Sequence, residues 1–115
     1  MKSDDIVTQL TDLTIELKAT VNDLATLDED AVRAEHQERL AYARVFMSLS
    51  GSMEIRKQQA IIDTNIVALE RELADMKVRA AKARIKYLEV AFDAIRSISA
   101  ARRAEFMSEA TGQHT

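Results

Sequence analysis

The sequence contains no cysteine, no proline and no tryptophan. The lack of cysteine leaves no disulfide framework and fits a reducing compartment, so the cytoplasm is the expected location. From Met53 to Ala110 there is neither glycine nor proline to break a helix. Aromatic residues are few, namely Tyr42, Phe46, Tyr87, Phe92 and Phe106. No apolar run approaches the ~20 residues that cross a bilayer, and Met1 to Leu10 does not read as a signal peptide. No membrane association is expected.

Chemistry is also sparse. His36 and His114 are the only histidines, and no set of His and carboxylates has metal-ligand spacing. A lone histidine on a polar segment, such as His36, is usually just solvated. There is no glycine-rich phosphate loop and no Ser/His/Asp set. Asp28-Glu29-Asp30 reads as a helix start rather than a metal site. An enzyme is not expected, and no cofactor is implied.

What remains is helix-forming. Ala, Leu, Ile, Glu, Arg and Lys dominate the 115 residues, enough for one domain. Leu10, Leu13, Leu17, Thr20, Leu24, Leu27, Ala31 and Ala34 alternate at steps of three and four, the repeat of a coiled-coil seam. The pattern resumes through Leu40, Tyr42, Val45, Phe46 and Leu49. Ser3, Asp4 and Asp5 suit a helix start. Thr26 and Glu29 have capping-box spacing, which predicts a break or kink near Leu27. Ser50-Gly51-Ser52 is the one clear turn, with Gly51 suited to end a helix and Ser52 and Glu54 to begin the next. A fray or kink is also expected near Asp63-Thr64-Asn65.

These signals predict an all-α fold, an elongated helical hairpin with long, coiled-coil-like helices. It forms one helical domain over residues 1–110, with helices about 4–26, 28–49 and 53–109 and a flexible tail over 111–115. The last helix carries two seams. Ile55, Ile62, Ile66, Leu69, Leu73 and Met76 form the first; Val78, Ala81, Ile85, Leu88, Phe92 and Ile95 form the second, offset around the helix. A single seam on the first segment does not cover both, and large exposed seams favour association. A homo-oligomer is therefore expected, joined through Val78, Ile85, Leu88, Phe92 and Ile95.

The net charge of −3 conceals an asymmetry. Residues 1–52 hold 5 basic and 10 acidic side chains; residues 53–115 hold 11 basic and 9 acidic. Within Lys77 to Lys86, the cations Lys77, Arg79, Lys82, Arg84 and Lys86 lie among alanines with no acid between them. On a helix, Arg79, Lys82 and Lys86 fall within about 60° of one another, while Lys77 and Arg84 flank the second seam on the other side. Repeated solvent-facing cations suit phosphates, which bind by counterion release without sequence preference. Tyr87 adjoins them and has the ring that single-strand binders stack on bases. The alternative is that the acidic first half neutralises the strip across a helix interface. From charge alone the two readings stand level.

Lys82-Ala83-Arg84-Ile85-Lys86-Tyr87 resembles the Lys-Ala-Arg-Leu-x-Tyr motif of the UvsY family of phage recombination mediators. Tyr42, Phe46, Gly51-Ser52 and Arg56-Lys57 precede it in a similar order. Phe92 to Ser97 and Arg103 to Phe106 are similar to the family's C-terminal helix. The resemblance spans about Tyr42 to Glu109. It implies an all-helical, ring-like homo-oligomer that binds single-stranded DNA without sequence preference. It also implies partnership with a RecA-type recombinase and single-strand-binding protein, and hence the host cytoplasm. Lys82 and Arg84 match the motif's DNA-contacting cations; Lys86 enters on helix geometry alone. The rival reading is a structural or interaction coiled coil without DNA binding, such as a phage scaffold or an inhibitor of a host protein.

Overall fold

A computed structural model describes the backbone of residues 3–112 and the side chains of residues 5–111. The side chains of Ser3 and Asp4, and residues 113–115 with His114, lie outside the described residues. The fold is all-α, with no strand among the described residues: α1 is Ser3–Ser48, α2 Met53–Asp63 and α3 Asn65–Gly112.

The expected break at Leu27 does not occur, and α1 is one helix of 46 residues. Nothing between Thr26 and Asp30 prevents helical backbone. Glu29, assigned to a capping box, instead accepts a hydrogen bond from Arg33 Nη2 one turn on, at 2.7 Å. The turn after α1 does form. Gly51 takes φ +111°, open to glycine at little cost. The Ser52 hydroxyl then accepts from the Ile55 N–H at 3.2 Å, capping α2, and Glu54 lies in its first turn.

The expected irregularity near Thr64 separates α2 from α3. There the Thr64 hydroxyl donates to the Ala60 carbonyl at 2.7 Å, competing with regular helix geometry. The backbone ladder nevertheless carries through, with Thr64 N–H donating to Ala60 and Ala68 N–H to Thr64, each at 3.0 Å. At the far end α3 includes Thr111, placed in the tail by the sequence reading; its hydroxyl donates to the Met107 carbonyl at 3.0 Å.

The chain forms two compact units. The central unit, Asn22–Lys82, is a helical hairpin built from the later part of α1, the turn, α2 and the start of α3. The terminal unit joins Met1–Val21 to Ala83–Thr115, an antiparallel pairing of the start of α1 with the rest of α3.

In the central unit α1 turns inward at Leu24, Leu27, Ala31, Ala34, Glu38, Ala41 and Val45, at strict three- and four-residue steps. Leu40, expected on this seam, is 40% exposed. The facing stripe is Ala60, Thr64, Val67, Arg71, Ala74 and Val78. Its charged member is matched across the hairpin. Arg71 donates to Glu38 through Nε and to Asp75 through Nη1 at 3.1 Å. The Glu38 hydrogen bond holds the Arg71 guanidinium above its usual pKa, against the lowering effect of burial. Near the turn, Arg56 lies 4.7 Å over the Phe46 ring, which stacks on Tyr42.

The terminal unit is more apolar inside. Ile85, Leu88, Phe92 and Ile95 turn inward on α3, and Leu88 is only 1% exposed. On α1, Ile6 is buried and Leu10, Leu13 and Leu17 are half-buried.

Candidate nucleic-acid interface

The absence of helix breakers keeps the basic strip within the single helix α3, so its spacing translates directly into positions around that helix. In the central unit, Lys77, Arg79 and Lys82 are all exposed. Lys77 borders a shallow groove with Leu27, Asp30, Glu70 and Leu73, and Arg79 borders another with Asp28, Glu35 and Asp75. Despite these acidic neighbours, none of the three cations forms an ion pair among the described residues.

In the terminal unit the strip's residues diverge. Lys86 is exposed and has no ion pair among the described residues. Arg84 is engaged: its Nε donates to Glu16 Oε1 at 2.9 Å, and its Nη2 donates to the same oxygen. The Arg84 guanidinium also lies 5.1 Å from the centre of the Tyr87 ring. Tyr87 is 60% exposed, so much of its surface remains open for stacking. Among the described residues, four of the five cations are thus without an ion pair, and the fifth is tied to the acidic first helix.

No family model, curated protein or solved structure matches this chain.

The residues assigned to oligomerisation lie elsewhere. Val78 is buried in the central unit; Leu88 is buried and Ile85, Phe92 and Ile95 are half-buried in the terminal unit. This seam packs inside the chain. The other seam faces out: Ile55, Ile62, Ile66, Leu69, Leu73 and Met76 are all exposed, Ile66 by 72%. The physical reason is helical phase. On an unbroken helix a 3.5-residue repeat keeps one stripe inward, so the phase of Val78 and Ile85 continues back through Ala74, Arg71 and Val67. The aliphatic residues at the other phase are turned away.

Sequence reasoning missed the Arg71–Glu38 pair. Its signal was present, since each residue occupies a three-four position on its own helix, but a charge at such a position reads as an interruption. His36 is exposed, and among the described residues no cluster of His, Cys, Asp and Glu could hold a metal ion. No helix among the described residues is long and apolar enough to cross a membrane.

Proposed function

We propose that this protein binds single-stranded DNA through its phosphates and serves as an accessory factor to a RecA-type recombinase. The observation that carries the DNA contact is the set of four exposed cations, Lys77, Arg79, Lys82 and Lys86, without an ion-pair partner among the described residues. Cations already neutralised within the chain would release no counterions on meeting a phosphate; unpaired ones do. Exposed Tyr87 favours single strands, whose bases are free to stack. The partnership with a recombinase and single-strand-binding protein rests on the resemblance of Lys82 to Tyr87 to the mediator motif. Arg84, a motif residue, is held by Glu16 and contributes to DNA only by exchanging that carboxylate for a phosphate.

A salt-dependent titration with labelled single- and double-stranded oligonucleotides tests this reading. Lys82→Ala with Lys86→Ala should weaken single-strand binding similarly for all base compositions. The slope of log affinity against log salt should become shallower by roughly 0.7 per lost contact. These two lysines are the informative pair, because removing Arg84 would also free Glu16. No single-strand binding at low salt would refute the proposal.

The Arg84–Glu16 pair favours a second reading, in which the strip serves helix pairing and the protein is a structural or interaction coiled coil. In that case the titration shows no binding.

A further inference from the structure

The outward seam has an internal order that the DNA reading does not use. Ile66, Leu69, Leu73 and Met76 recur on α3 at alternating steps of three and four, Ile62 at the end of α2 precedes them by four, and the next step is exposed Ala80. At about 100° per residue, their stripe lies roughly 150° around the helix from Val67, Arg71, Ala74 and Val78, which face inward. The outward seam is therefore a second coiled-coil face on a helix whose first face is already occupied. Its members change from large to small along the chain, from Leu69 and Leu73 to Ala80.

The flanking charges change with them. Glu70 and Glu72 border the earlier half of this window, and Lys77 and Arg79 border the later half. All four are exposed. Among the described residues the only ion pair any of them makes is that of Glu72, 3.9 Å from Arg71 Nη2.

We propose that a second copy of this chain packs antiparallel on this seam, about a two-fold axis passing between Leu73 and Met76. In that register Leu73 faces Met76 of the second copy, and Leu69 faces Ala80, a large residue against a small one. The same register brings Glu70 to Lys77 of the second copy and Glu72 to Arg79, as flanking positions pair in an antiparallel coiled coil. One axis thus satisfies both the size pattern and the charge pattern. A parallel, in-register pair sets Ala80 against Ala80, leaving a gap, and pairs only Glu72 with Lys77. Self-complementarity of this kind marks an isologous interface and identifies the occupant as another copy. It pairs Lys77 and Arg79, so in the assembled protein the DNA contact rests on exposed Lys82 and Lys86.

Light scattering on the full chain should give an even multiple of 12.9 kDa. Glu70→Lys with Glu72→Lys places like charges across the seam and should at least halve that mass. Lys77→Glu with Arg79→Glu should do the same. Circular dichroism should show unchanged helicity for both, since all four residues are exposed. Mixing the two variants should restore the mass, because one then presents only basic flanks and the other only acidic ones. The absence of native cysteine permits a direct test of register. Leu69→Cys mixed with Ala80→Cys should form an interchain disulfide on oxidation, whereas Leu69→Cys alone should not. A monomeric wild-type chain at micromolar concentration, an odd-numbered oligomer, or efficient disulfide formation by Leu69→Cys alone would overturn the proposal.

Discussion

The central and terminal units use the same repeat with opposite loading. In the terminal unit, the stripe of α3 that faces inward is Ile85, Leu88, Phe92 and Ile95, large and apolar. In the central unit the inward stripe is Ala60, Thr64, Val67, Arg71, Ala74 and Val78, while Ile62, Ile66, Leu69 and Leu73 face out. A hydrophobicity ranking alone would bury the second set. The contrast teaches that on long unbroken helices phase is shared along the whole element, whereas hydrophobicity is assessed residue by residue. Small residues inside the central unit let the paired helices approach closely, and the Arg71–Glu38 ion pair satisfies the polar positions of that interior.

The largest test of this contrast sets one leucine against another. Leu88→Ala should lower unfolding free energy by about 2–5 kcal/mol, since it removes a fully enclosed side chain. Leu69→Ala, in a solution dilute enough to be monomeric, should change it by no more than about 0.5 kcal/mol. Urea denaturation of both variants measures the difference; equal losses would mean that the two leucines are buried alike.

A smaller effect is expected at the ion pair. Glu38→Ala leaves Arg71 with its weaker partners and should cost about 1 kcal/mol, after allowance for solvent screening of side chains 26–30% exposed. Replacing Glu38 and Arg71 together by leucine should recover that loss or exceed it, because no uncompensated charge remains. A double variant less stable than Glu38→Ala would show that the pair gives the central unit more than charge balance.

The smallest effect belongs to the terminal unit's exposed pair. Glu16→Gln should cost less than about 1 kcal/mol. The denaturation midpoints of the wild type and this variant should converge as salt is added, because exposed charges are screened.

Much of the fold was legible because local chemistry acts locally. Gly51 and Ser52 marked the turn through a left-handed backbone angle and a capping hydroxyl, both of which survive in the structure. The α1 seam was legible because leucines and alanines occupy its three-four positions. The Thr26–Glu29 signal misled because capping-box residues are equally acceptable inside a helix when flanking residues continue the seam, as Leu24, Leu27 and Ala31 do. For the candidate site, exposure of Arg79, Lys82 and Lys86 followed from their spacing. The capture of Arg84 by Glu16 did not, because the partners are 68 positions apart.

By itself, the sequence determined helicity, the position of the turn, the existence of two apolar stripes and the concentration of cations between Lys77 and Lys86. These depend on composition, spacing and short-range capping, all of which operate within a few residues. Tertiary structure decided which stripe is interior. Periodicity defines the stripes on a helix but leaves its rotation about its own axis undetermined. That rotation is set by its neighbour: Glu38 receives Arg71, the alanines of α1 admit close approach, and Leu88 is enclosed. Once it is set, Ile62, Ile66, Leu69 and Leu73 must face outward, however hydrophobic they are.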